Sequence, residues 1–274
     1  MIITMHGLTT MHCNVKTEIR IAREAGYDAL ELVAEKLVRY MDTGLKVEDL
    51  VPVFEKYAIR PIMINALQRV ERVAPKERQA LLDEAERMCA AAEVLGCPTI
   101  QVVPLCGLTG RPWSEVRRLT AWNIADIADI GKRHGLRFQV ELVAYSPINS
   151  LAKCLEVIDQ VERDNVAMVI DFWHLAAGGE TTPDEVAKLK SSQIYGVHFC
   201  DGMMHKPGTH WDELALRSYQ PGEGEIPIKE WVAAVKATGF DGVWSGELAS
   251  PKHWEEDLLE LAIKSRELME SYIC

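Results

Sequence analysis

The sequence predicts an α/β protein, a single (β/α)8 TIM barrel, and three observations carry that prediction. Short apolar runs alternate with helix-like stretches eight times, with no linker-like or low-complexity segment between them. Two of the runs, 166–170 (VAMVI) and 194–199 (IYGVHF), flank a helix-like interval, the pattern of neighbouring parallel strands joined by a crossover. The first turn, His6-Gly7-Leu8-Thr9-Thr10, lacks the GxGxxG that an open, doubly wound dinucleotide fold would show there. Length agrees, since such a barrel takes about 250 residues and the chain has 274.

Taken in order, strand one is 2–5, and Asn14 caps a helix over 15–25 that stops at Gly26. Strand two, 29–33, carries Glu31 and precedes a helix at 47–57. Strand three is 61–64, its proline tolerable at a strand's first residue. Pro75 opens a long helix to about Leu95, closed by Gly96, the usual placing of proline at a helix start and glycine past its end. Strand four is 99–103. A helix over 113–133 ends at Gly135, and strand five, 137–140, leads to Glu141. Helix 147–162, strand six, helix 183–190, strand seven, helix 228–237, strand eight (242–246) and helix 254–272 complete one domain over 1–274. Two connections without helical pattern are long, 103–112 and 200–226. The second is rich in titratable and aromatic groups, and it is expected to cover the barrel mouth as a lid.

Bulk properties narrow the partners. A net charge of −11 argues against a nucleic-acid backbone or an anionic membrane surface and suits a small neutral or metal-chelated substrate. No run of 18 apolar residues occurs, and MIITMHGLTT resembles no signal peptide, so a cytoplasmic location is expected, with a homo-oligomer left open. Seven cysteines without a CxxC pair speak against a disulfide framework or a thiolate zinc site.

Chemistry concentrates at strand ends, where a parallel barrel builds its active site because every βα-loop opens on one face. Glu141, Asp171, His198 and Glu247 each follow or end an apolar run on four successive strands, with His174 and Asp201 close behind. Alone, each carboxylate reads as a solvated strand end and His198 as a core histidine. Together they form an oxygen-rich set with one imidazole, suited to one divalent ion: Mn²⁺, Mg²⁺, Co²⁺ or Zn²⁺. His174 could donate to a substrate hydroxyl or serve as a helix cap. Arg217 is either a substrate contact or a solvated charge, and Trp173 and Trp211 either stack on a sugar or pack.

These residues carry a resemblance. VELVAYSPINS, VIDFWHLAAGG, YGVHFCDG, RSYQPGEGEIPI and WSGELAS resemble the xylose-isomerase-like barrel family of sugar and inositol-ketone isomerases, epimerases and dehydratases. The resemblance implies that Glu141, Asp171, His198 and Glu247 bind one divalent metal. It also implies that Glu141 and Glu247 transfer protons and that His174 and Arg217 contact a sugar or keto-polyol. Ketose 3-epimerases carry a second glutamate six residues past the first, where this chain has Pro147, and the nine-ligand, three-zinc set of the related DNA-repair endonucleases is missing. The expected activity is therefore isomerisation or epimerisation through a metal-stabilised enediolate. The alternatives are β-elimination by a dehydratase or lyase using the same enediolate, and a non-catalytic carbohydrate-binding barrel.

Overall fold

The computed structural model describes residues 1–274, and its eight strands close a parallel barrel in sequence order, β8 pairing with β1. The strands are β1 (Ile2–His6), β2 (Ala29–Val33), β3 (Arg60–Gln68), β4 (Thr99–Val103), β5 (Arg137–Val140), β6 (Val166–Asp171), β7 (Ile194–Phe199) and β8 (Val243–Gly246). Helices α1 (Val15–Glu24), α2 (Ala34–Asp42), α3 (Val51–Tyr57), α4 (Pro75–Leu95), α5 (Trp113–Arg133), α6 (Leu151–Val161), α7 (Phe172–Ala177) and α8 (Pro183–Val186) follow the first six strands. α9 (Glu213–Leu216), α10 (Ile228–Ala237), α11 (Pro251–Trp254) and α12 (Leu258–Ile273) follow the last two. No helix is long and apolar enough to cross a membrane.

Strand parity divides stability from function. Side chains alternate faces along a strand, and here Met5, Leu30, Leu32, Ile64, Ile100, Val102, Phe138, Ile170, Val197 and Trp244 point outward into one continuous apolar layer beneath the helices. The opposite parity carries Thr4, His6, Glu31, Gln101, Gln139, His198 and Ser245, all buried in the lumen. Gln139 Nε2 donates to Gln101 Oε1 at 2.7 Å across that lumen. Between α5 and β5 the layer is tight enough to require glycine: a Cβ at Gly131 would sit 2.2 Å from Phe138 Cε2.

The helices differ from the sequence expectation in informative places. α2 begins directly after β2, and the expected helix at 47–57 divides into a 3-10 turn, Val47–Leu50, and α3. α6 starts at Leu151, where Ser150 Oγ accepts from the Lys153 amide at 3.4 Å, rather than at Pro147. α7 was not expected at all, because Asp171 both ends β6 and caps the helix, taking the His174 amide at 2.6 Å and leaving no linker to mark the change. The expected helix at 254–272 starts later, at Leu258 where Asp257 caps α12, and Trp254 instead ends the short α11.

Candidate metal centre and substrate pocket

Four strand ends converge at the carboxyl face of the barrel. Glu141 follows β5, Asp171 ends β6, His198 lies in β7 and Glu247 follows β8, and all four are buried. One donor atom from each falls within 4.8 Å of every other. His198 Nδ1 is 2.9 Å from Glu141 Oε1, 3.3 Å from Glu247 Oε2 and 3.6 Å from Asp171 Oδ2. Ligands about 2.0–2.2 Å from a common ion stand roughly 3–3.5 Å apart, so the spacing fits one small divalent cation. Charge agrees with geometry, since three carboxylates crowd a space whose facing cationic or imidazole groups are Arg217, His198 and His174.

Burial pushes the Glu141 carboxyl above its ordinary range, and the His198 imidazole offsets this only in part. Burial acts on Asp171 in the same sense, but Arg217, His174 and His198 outweigh it and hold that acid well below the carboxylate range. For His198 burial opposes the cation, yet Glu31 and Glu247 with the other carboxylates raise it well above the usual imidazole value. A metal taking Nδ1 would therefore release a proton. Glu141 is fixed from behind, its Oε2 accepting from Gln101 Nε2 at 3.0 Å.

A second group of possible ligands, His6, Glu31 and His198, lies deeper in the lumen. Hydrogen bonding argues against a metal there. Leu8 N–H donates to His6 Nδ1 at 3.0 Å and Asn65 Nδ2 lies 3.0 Å from Nε2, so both nitrogens of that ring are already engaged.

His174 and Arg217 line a cavity of about 210 Å³ together with Glu141, Glu247, Tyr145 and Glu213, among others. His174 is buried, and its Nδ1 accepts from the Ala144 amide at 3.3 Å, which puts the proton on Nε2, the atom aimed into the cavity. Arg217, read as a substrate contact or a solvated charge, is buried. Its Nη2 lies 2.7 Å from Glu247 Oε2 and 3.5 Å from Asp171 Oδ2, and its Nη1 is 2.9 Å from Glu213 Oε1. Trp173 is buried, with Nε1 donating to Met203 O at 3.1 Å, so it supports the 200–226 segment rather than facing a sugar. Trp211 stacks on His205 at 3.7 Å between ring centroids. Asp201, metal-competent by sequence, lies outside the ligand group. Its carboxylate accepts from the amides of Gly202, Gly222, Gly224 and Ile226 at 2.7, 2.7, 3.0 and 3.2 Å and so pins the segment's return to its start. A wider open groove of about 790 Å³ between α2, β3 and α4 holds none of these side chains.

Sequence reasoning gave no role to Glu213 and Tyr145. Glu213 Oε2 accepts from Tyr145 Oη at 2.7 Å, and its Oε1 is 3.6 Å from His174 Nε2. Burial would raise Glu213, but His174, Arg217 and the Tyr145 hydroxyl hold it below the ordinary range.

The family model for the xylose isomerase-like TIM barrel matches residues 19–271. The chain belongs to that family. Among curated members, the inosose isomerase of Bacillus velezensis is 25% identical over 268 residues, covering 97% of this chain and 94% of that protein. The probable L-ribulose-5-phosphate 3-epimerase of Mycoplasma pneumoniae is 22% identical over 228 residues, 78% of this chain and 74% of that one. Among solved structures, the IOLI protein with a binding zinc atom shares the xylose isomerase-like barrel with a TM-score of 0.91 at 24% identity, covering 100% of this chain and 98% of that one.

Proposed function

We propose that this chain is a divalent-metal-dependent isomerase or epimerase of a sugar or inositol-ketone, and that Glu141 and Glu247 are its proton-transfer pair. One observation supports this above the rest: two buried glutamates flank the same imidazole nitrogen and both open on the cavity, so a carbon held there is reachable from either carboxylate. The relatives named inosose isomerase favour a cyclic keto-polyol. The cavity, about 210 Å³, is below the roughly 300 Å³ at which pockets for larger ligands begin, which suits a single ring.

When bound by Glu141, Asp171, His198 and Glu247, a divalent ion supplies Lewis acidity at a carbonyl oxygen and so acidifies the adjacent C–H. The chain does the rest. One glutamate takes the proton α to the carbonyl, and the other returns a proton to the same carbon or its neighbour. His174 Nε2–H and the Arg217 guanidinium donate to substrate oxygens and hold the ring in register, and the 200–226 segment acts as a lid that excludes water.

The test is Glu141→Gln and Glu247→Gln, each assayed with inososes and ketohexoses in D₂O by NMR. Loss of a general base typically costs about 10²–10⁴-fold, and turnover should fall by that order in both variants with zinc still bound. The variant that keeps the abstracting base should continue to wash deuterium into substrate, and the other should not. The same spectra distinguish proton return from loss of a β-hydroxyl. Near-parent turnover in both variants would end the two-carboxylate mechanism and favour a carbohydrate-binding barrel.

A further inference from the structure

Glu31 is not one of the four candidate ligands, yet it is the most enclosed acid next to them, with no exposed surface. It sits on the inner face of β2, where its Oε1 faces His198 Nε2 at 3.1 Å and His6 Nε2 at 3.4 Å, with Asn65 Nδ2 at 3.5 Å. Its Oε2 has no partner. Burying a carboxylate with one oxygen unsatisfied is costly. A neutral acceptor would bridge the strands equally well, so the charge itself calls for a reason.

That reason lies in His198. The two nitrogens of an imidazole point in nearly opposite directions, and here Nδ1 faces the three carboxylates while Nε2 faces Glu31. Only one nitrogen can ligate, and the other must then carry the proton. We propose that Glu31 is a positioning residue of the metal centre: by accepting the Nε2 proton it commits His198 to ligation through Nδ1, with His6 Nε2 standing 3.4 Å from the same Glu31 oxygen and 3.0 Å from Asn65 Nδ2. The ring's direction and basicity are thereby set from behind, through a carboxylate on a different strand. His6 is held in turn by the Leu8 amide on its Nδ1 and by the Asn65 side chain at its Nε2.

The inference rests on the proposed metal site, and zinc titration of the full-length parent against a chromophoric chelator tests that site first. A parent that binds no zinc overturns both. If it binds, Glu31→Gln, which keeps shape and an acceptor oxygen but removes the charge, should weaken zinc about 10–100-fold, the usual cost of losing such a partner. Its metal-free melting temperature should stay near the parent's, and Glu31→Asp should regain part of the affinity. Zinc affinity within twofold of the parent's in Glu31→Gln would reduce Glu31 to a strut. Should that variant not fold, long-range ¹H–¹⁵N spectra of the zinc-loaded parent still decide the matter. Nδ1 bound to metal with Nε2 protonated supports the assignment, and the reverse overturns it.

Discussion

Asp201→Asn isolates what holds the proposed lid. The carboxylate takes four backbone amides, two on each oxygen: Gly202 and Ile226 on Oδ1, Gly222 and Gly224 on Oδ2. Asparagine keeps one oxygen and turns the other into a donor, so that Gly222 and Gly224, at 2.7 and 3.0 Å, would face an NH₂ group. Hydrogen bonds to a charged group contribute about 1.5–3 kcal/mol each, so losing two sets a range of about 3–6 kcal/mol. Water can re-satisfy the freed amides once the segment opens, which lowers the expected loss to about 2–4 kcal/mol of local opening free energy. At about 1.4 kcal/mol per tenfold, the amides of Gly222, Gly224 and Ile226 should exchange hydrogen roughly 30–1,000-fold faster. Zinc affinity should not change, because Asp201 contributes no atom to the four-ligand group. Parent-like protection at these amides would refute the staple. Lost zinc binding with protection intact would return Asp201 to the metal.

Two further outcomes follow from the packing. Arg217→Ala removes a guanidinium 2.7 Å from Glu247 Oε2, so zinc should bind as tightly as in the parent or more so, while kcat/KM falls about 10–150-fold from loss of a charged substrate contact worth about 1.5–3 kcal/mol. Weaker zinc with unchanged KM, by calorimetry and steady-state rates, would make Arg217 a support for the carboxylates instead. Gly131→Ala places a methyl 2.2 Å from the Phe138 ring, and overpacking of this kind costs about 1–3 kcal/mol. Scanning calorimetry should show Tm lower by about 2–10 °C, with metal affinity intact, and an unchanged Tm would mean that the α5–β5 contact yields freely.

All eight strands were legible as short apolar runs, though β3 continues past the expected 61–64 to Gln68, and strand-end position on a parallel barrel is enough to gather Glu141, Asp171, His198 and Glu247. What escaped lacks a local signal. α2 and α7 begin on the residue after their strands, so no glycine, proline or polar linker separates the periods. Asp201 looked like its neighbours because a sequence does not say whether a strand-end carboxylate faces the lumen or its own loop. The hint was present in the glycines at 222 and 224: a Cβ at Gly224 would meet Asp201 Oδ1 at 2.2 Å. Glu213 approaches His174 across a bend of the 200–226 segment, and no spacing rule reaches that far. Glu31 was visible only as a charge inside an apolar strand, which parity alone would have turned toward the lumen.

The two proposed proton-transfer glutamates are held by different parts of the molecule. Glu141 belongs to the barrel: Gln139 donates to Gln101 Oε1, which turns the Gln101 amide group toward Glu141 Oε2 and leaves Oε1 facing His198. Gln101 and Gln139 stand on strands and Glu141 directly follows β5, so the barrel rather than the 200–226 segment sets its orientation. Glu247 meets the barrel only through two imidazoles, His6 Nε2 at 3.6 Å from Oε1 and His198 Nδ1 at 3.3 Å from Oε2. Its charged partner is Arg217, which sits at the end of α9 in the proposed lid and is tied through Glu213 to Tyr145 beside the cavity. If the segment opens as proposed, the guanidinium would withdraw from Glu247, and closure over a ring would return the positive charge to the carboxylate as water leaves. On that reading one carboxylate is preset before substrate arrives, and the charge beside the other depends on closure. Such a division would confine proton transfer to the closed, water-free state without any second conformation of the barrel.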